Sequence, residues 1–131
     1  MMIIVDTSVW SQFLRRRDPQ ESRSLSILRS GIREKNIQML GIIRQELLSG
    51  IKERKQYTKV FELLASFPDL LAESSDHTEA AKLFNICRKK GIQGSPIDFL
   101  ICAQASRNKL SILTEDKDFK LYANFIPIEL V

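Results

Sequence analysis

The stretch Met2-Ile3-Ile4-Val5-Asp6-Thr7-Ser8-Val9-Trp10 decides the fold. A short apolar run rich in β-branched side chains suits a strand, and it breaks at Asp6-Thr7-Ser8. Those three residue types favour helix N-caps, because their short side chains accept the free backbone N–H groups of a first turn. Trp10, Phe13 and Leu14 follow at helical spacing. The order is strand, sharp turn, helix, with Asp6 at the carboxyl end of the strand.

The same alternation continues outward. After a loop around Asp18-Pro19, Leu25, Leu28 and Ile32 mark a second amphipathic helix, and Ile37 to Leu40 a second strand. Ile42 to Ser49 form a short helix stopped by Gly50. Tyr57, Val60, Phe61 and Leu64 sit at i, i+3, i+4 and i+7 of a helix that Pro68 ends. Asp76-x-x-Glu79 is a capping box, and Ala80, Leu83, Phe84 and Cys87 carry the inner face of its helix to Arg88-Lys89-Lys90-Gly91. Ser95 caps a helix with Pro96 in its first position, and Phe99 to Ala103 make that helix apolar on most sides. Ser111 to Leu113 read as a strand, Thr114 to Asp118 as an acidic turn, and Phe119 to Ala123 as a helical turn. Ile126-Pro127-Ile128 suggest a final edge strand. Strands alternating with helices predict a three-layer α/β/α sandwich with a short, mostly parallel sheet of four or five strands. No repeat, low-complexity tract or linker interrupts residues 1–131, so one domain is expected.

Composition narrows the class. Hydrophobic content of 44% and charged content of 27% are ordinary globular values and exclude a disordered chain. No apolar run nears the roughly 20 residues of a membrane span, and the start reaches Asp6 too early for a signal peptide. A cytoplasmic location is expected. Cys87 and Cys102 lack the number and spacing of a disulfide or zinc framework and fit reduced core thiols. The net charge of +4 is weak by itself as a sign of an anionic partner.

In open parallel sheets, ligands bind beyond the carboxyl ends of the strands. Asp6 follows the first strand and Asp116 the Ser111–Leu113 strand. Glu46 lies a turn into the helix after the second strand, and Asp98 in the first turn of the buried helix. All four can converge on one pit. Singly, each has an ordinary alternative: Asp6 and Asp98 as caps, Glu46 as a solvated helix residue, Asp116 and Asp118 as turn formers. Together, crowded carboxylates repel, and a hard divalent cation removes that repulsion while bridging to a phosphodiester.

Asp6-Thr7-Ser8-Val9-Trp10, Arg44-Gln45-Glu46-Leu47-Leu48-Ser49-Gly50, Pro96-Ile97-Asp98-Phe99-Leu100-Ile101-Cys102-Ala103 and Leu113-Thr114-Glu115-Asp116-Lys117-Asp118-Phe119 occur in that order. This set resembles the PIN-domain nucleases, and within them the VapC-type toxins of toxin–antitoxin pairs, over essentially the whole chain. The resemblance implies that Asp6 is the first metal-binding aspartate and Ser8 the hydroxyl steadying the acidic cluster. Glu46 matches the glutamate of an E-x-x-x-G segment, and Asp98 the aspartate opening the buried helix. Asp116 matches the fourth acid and Thr114 the small hydroxyl before it, with Asp118 as a supporting partner or substitute.

The implied chemistry is endonucleolytic cleavage of RNA. Mg²⁺, with Mn²⁺ as substitute, would be held by Asp6, Asp98 and Asp116, and Glu46 would position the metal or deprotonate the attacking water. The implied partners are an RNA substrate and a cognate antitoxin, in a homodimer or a toxin–antitoxin hetero-oligomer, with no membrane. Alternatives are a housekeeping PIN nuclease of rRNA or tRNA processing, a DNA nuclease, and a non-catalytic acidic-pocket module. Arg15-Arg16-Arg17 and Arg88-Lys89-Lys90 are candidates for gripping RNA backbone, or simply solvated helix ends. Trp10, Phe13, Tyr57, Phe61 and Phe84 fall on helical stripes, which favours core or subunit packing over base stacking. His77 reads as a surface residue.

Overall fold

The computed structural model describes residues 2–15 and 20–131. The Asp18-Pro19 loop, and Arg16 and Arg17 of the basic run, lie outside the described residues. Four strands, β1 (Ile3–Val5), β2 (Ile37–Leu40), β3 (Asp69–Leu70) and β4 (Ser111–Leu113), form one sheet in the order β3-β2-β1-β4, with every pairing parallel. Seven helices join them among the described residues: α1 (Thr7–Arg15), α2 (Arg23–Glu34), α3 (Gly41–Leu48), α4 (Arg54–Leu64), α5 (Ser74–Lys89), α6 (Pro96–Arg107) and α7 (Asp118–Ala123).

The strand order fixes the layers. The crossovers β1 to β2 and β2 to β3 step toward one edge, whereas β3 to β4 returns past β2 and β1 to the other. Parallel crossovers are almost always right-handed, so a reversal of direction moves the connecting helices to the opposite face. Helices α1 to α4 therefore cover one face, and α5 and α6 the other. The contacts agree: α1 packs on α2 and α3, α3 on α4, and α5 on α6. The expected α/β sandwich is the observed fold.

The core follows from the apolar runs. Ile4 and Val5 of β1, Met39 and Leu40 of β2, and Ile112 and Leu113 of β4 are all buried, as parallel strands covered on both faces require. Trp10 is buried and meets Phe67 edge-on at 5.4 Å. Between the opposite helices, Phe84 meets Phe99 edge-on at 5.6 Å.

Three details differ from expectation. The two-residue β3 was not anticipated, since so short a segment carries no periodicity. The final edge strand is not at Ile126–Ile128. Pro127 offers no N–H, Ile128 N donates back to Ile126 O at 2.9 Å, and both isoleucines turn into the core instead. The sheet contact comes later, as a single parallel bridge between Ile112 and Leu130.

Helix α5 begins a turn before Asp76. Asp76 occupies the third position of the capping box rather than its cap, accepting the Glu73 N–H at 2.8 Å while Arg107 Nε donates to it at 2.9 Å. On α4 only Val60 and Leu64 are buried. Tyr57 and Phe61 are 41% and 52% exposed and stack on each other, 6.4 Å apart and 12° from parallel. A helical stripe shows which side chains share a face, not how much of it a neighbour covers.

Two outcomes test this packing. Cys87 and Cys102 are buried, and burial pushes both thiols up from their ordinary value, leaving little reactive thiolate. The native protein should react with a disulfide reagent at pH 8 far more slowly than the urea-unfolded chain; equal rates would contradict the burial. Arg107→Ala should lower the urea-unfolding free energy by roughly 1–3 kcal/mol, because it removes a charged donor from the buried Asp76 carboxylate.

Candidate active site at the β1–β4 edge

The sheet reverses its winding between β1 and β4, the place where an open α/β sheet opens a crevice for a ligand. Register pairs Val5 with Leu113, and Asp6 N donates to Leu113 O at 2.9 Å, so the residues leaving both strands emerge together. Asp6, only 6% exposed, uses its carbonyl to accept the Val9 and Trp10 N–H groups at the start of α1. Its carboxylate does something else. Ser8 Oγ donates to Asp6 Oδ2 at 2.9 Å and Thr114 Oγ1 donates to the same oxygen at 2.8 Å. Asp6 Oδ2 is thus committed to two hydroxyls from either side of the β1–β4 pair.

Asp98 sits in the first turn of α6, where its N–H donates to the Ser95 hydroxyl cap at 3.1 Å. Its own Oδ2 accepts the hydroxyl of Tyr122 at 2.7 Å, from α7 across the site. Asp116 and Asp118 come from the turn after β4. Asp116 N donates to Thr114 Oγ1 and Asp118 N to Asp116 Oδ1, each at 2.9 Å. One carboxylate oxygen each from Asp98, Asp116 and Asp118 lie within 4.8 Å of one another.

The structure thus brings Asp98, Asp116 and Asp118 into one group, with Asp6 close enough to act on Asp98 electrostatically. Glu46 is fastened to the same edge through Thr7, whose Oγ1 donates to Glu46 Oε1 at 2.8 Å. Ser8 also accepts the Glu115 N–H at 3.0 Å, tying the acidic turn to the start of α1. His77 is exposed, as expected. Arg88 and Lys89 end α5, where Arg88 lies over the Phe84 ring, while Lys90 lies over Phe125.

Sequence reasoning missed Tyr122, Thr7 and Glu115. Thr7 and Glu115 flank motif residues and could have been suspected from that adjacency. Tyr122 carried no signal beyond its place in the Phe119–Ala123 helical turn.

Burial raises the Asp98 carboxyl above its ordinary range. The Tyr122 and Ser95 hydroxyls oppose that rise, and the Asp116 and Asp6 charges add to it. Burial, then the Asp98 hydrogen bond, pushes the Tyr122 phenol up, so Tyr122 stays a donor. A three-oxygen acidic group of this spacing offers hard oxygen ligands of the kind a divalent cation takes.

The Asp98 shift predicts a stability effect. A carboxyl raised on folding favours the native state below its folded pKa, and that contribution is lost as pH rises through it. Asp98→Asn should therefore raise the melting temperature of metal-free protein at pH 7, with a gain that shrinks as pH falls and the wild-type carboxyl is itself neutralised. A variant less stable than wild type at pH 7 would contradict this.

The sequence model of the PIN domain matches residues 3–124. No curated protein matches the chain in sequence. Among solved structures, FitAcB from Neisseria gonorrhoeae superposes with a TM-score of 0.77 at 20% identity, covering 98% of this chain and 96% of that one. DNA-bound VapBC from Salmonella typhimurium gives 0.78 at 14% identity, covering 100% and 97%. VapBC2 from Rickettsia felis, bound to a fragment of its promoter, gives 0.76 at 17% identity, covering 100% and 98%. At these identities the structural likeness concerns the fold, but the sequence match spans nearly the whole chain: it belongs to the PIN-domain family of nucleases.

Proposed function

We propose that the chain is the toxin of a type II toxin–antitoxin pair, acting as a Mg²⁺-dependent endoribonuclease. The carrying observation is the convergence at one sheet edge of Asp98, Asp116 and Asp118 beside Asp6, with Glu46 held there by Thr7. Membership of a nuclease family supports the reaction class. Fold likeness to structures described as VapBC toxin–antitoxin systems supports the biological role.

In this proposal Asp6, Asp98 and Asp116 hold the cation, with Asp118 beside them. The bound cation supplies Lewis acidity toward the phosphodiester and lowers the pKa of water. The chain's own residues do the rest. Ser8 and Thr114 fix Asp6 by one oxygen, and the Asp118 N–H fixes Asp116 by another. Glu46 Oε1 is occupied by Thr7, so Oε2 is the atom assigned to take the proton of the attacking water. Breaking the P–O3′ bond leaves a 5′-phosphate and a 3′-hydroxyl.

The surface suits partners. Arg88, Lys89 and Lys90 are exposed cations for RNA phosphates. The exposed Tyr57–Phe61 stack supports contact with a partner protein, here an antitoxin, in a homodimeric or hetero-oligomeric assembly. Among the described residues no helix is long and apolar enough to cross a membrane.

RNA cleavage with Mg²⁺ should fall in Asp6→Asn and Asp98→Asn by more than the roughly 100-fold that outer partners of a metal site cost, and excess EDTA should abolish it. Activity surviving both substitutions sinks the proposal. Expression alone should arrest growth, and co-expression of an adjacent small gene should restore it; unimpaired growth would favour a housekeeping nuclease.

A further inference from the structure

We propose that Tyr122 is a positioning residue for Asp98, and that Gly94 is a glycine in order to admit its hydroxyl. The inference rests on the metal-nuclease reading of the site and adds to it a residue that none of the acidic motifs contains.

Tyr122 is fully buried, and its ring is gripped from two sides. Phe99 of α6 lies 4.7 Å away, tilted by 42°, and Phe119 of α7 lies 5.4 Å away, edge-on. Aromatic packing of this kind fixes a ring without help from its polar end. The hydroxyl is thus delivered to a set point, where it donates to Asp98 Oδ2 at 2.7 Å. A buried hydroxyl without a partner costs free energy, so the phenol and the carboxylate hold each other.

Gly94 makes the approach feasible. A Cβ built there would stand 2.6 Å from the Tyr122 oxygen and 2.5 Å from Phe99 Cε2. A side chain there would collide with both rings, so the rings or the loop carrying residue 94 would have to shift. The segment Gly94-Ser95-Pro96-Ile97-Asp98 therefore serves one carboxylate in two ways. Ser95 caps the turn that carries Asp98, and Gly94 leaves the space through which Tyr122 reaches it.

The consequence concerns geometry. A free aspartate rotates about its side-chain bonds and must be ordered when a cation arrives. Tyr122 removes that freedom by holding Oδ2, leaving the other carboxylate oxygen directed by the same constraint. Partners that orient a ligand in this way typically carry about a 10- to 100-fold effect on metal affinity.

The test is Mn²⁺ titration of the full chain, followed by electron paramagnetic resonance, on wild type, Tyr122→Phe and the exposed-phenol control Tyr57→Phe. Tyr122→Phe keeps both ring contacts and should bind Mn²⁺ about tenfold more weakly, while Tyr57→Phe matches wild type. With RNA, Tyr122→Phe should need more Mg²⁺ for half-maximal rate yet recover toward the wild-type rate at saturating metal, a split that loss of folded protein would not give. Unchanged Mn²⁺ affinity overturns the inference and leaves the nuclease reading intact. A wild-type chain that takes up no Mn²⁺ overturns both. Should Tyr122→Phe fail to fold, Gly94→Ala, which keeps the hydroxyl but displaces it, decides by the same titration: weakened binding supports the inference and unchanged binding overturns it.

Discussion

The parallel pairing of β1 with β4 is the constraint on which the site depends. Ile3, Ile4 and Val5 lie against Ser111, Ile112 and Leu113, so chain segments 108 residues apart leave the sheet side by side. Local preference cannot supply such a contact, because a parallel pair needs a crossover between its strands. Here the crossover includes every helix from α1 to α6. Burial of β1 and β4 on both faces holds the register, and a slip of one residue would invert which side chains face each helical layer. The same slip would separate Thr114 from Asp6. The stability of the core and the geometry of the acids are one property.

What surrounds the acids is as informative as the acids themselves. The ion pairs among the described residues join Arg29 to Glu21, Arg44 to Asp69 and Arg107 to Asp76, and none involves Asp6, Asp98, Asp116 or Asp118. The site carboxylates instead accept from Ser8, Thr114 and Tyr122, which are neutral. Hydroxyls orient a carboxylate and leave its charge in place. A cluster built to stabilise the fold would have drawn in an arginine, as Asp69 and Asp76 did. Burial, with the Asp116 and Asp6 charges adding to it, raises the Asp98 carboxyl, and the crowded negative charge is what a divalent cation would neutralise.

The legible parts of this structure were those that local chemistry dictates. Strand β1 follows from an apolar run that stops at Asp6, and α6 from Ser95, Pro96 and an apolar stretch. Asp6 and Asp116 could be expected at one edge because the sheet rule places strand ends together, whereas Glu46 and Asp98, on helices, joined them through the family resemblance. Contacts between distant side chains were not legible. Tyr122 reaches Asp98 only because α7 folds back over α6, and Gly94 looks like any loop glycine until the Tyr122 oxygen is beside it. Asp76 misled for a related reason. Its partner Arg107 lies 31 residues on, so the box around it could be placed a turn too late. Tyr57 and Phe61 share the spacing of a core stripe, yet the described residues leave about half of each exposed.

The acidic turn after β4 shows how two neighbouring carboxylates acquire different parts. Thr114 Oγ1 donates to Asp6 and accepts from Asp116 N, so the turn is indexed directly to the end of β1. Asp116 then uses Oδ1 to accept the Asp118 N–H, which fixes its orientation and commits one of its oxygens. Asp118, at the start of α7, is held through its backbone, and its carboxylate stands with those of Asp98 and Asp116. Either acid alone would leave the group short. Removing the Asp116 carboxylate also takes away the acceptor of the Asp118 N–H, whereas the Thr114–Asp116 linkage, made by the Asp116 N–H, stands without either carboxylate. Asp116 therefore acts both as a member of the cluster and as the support of its neighbour, a hierarchy set by hydrogen bonds rather than by position along the motif.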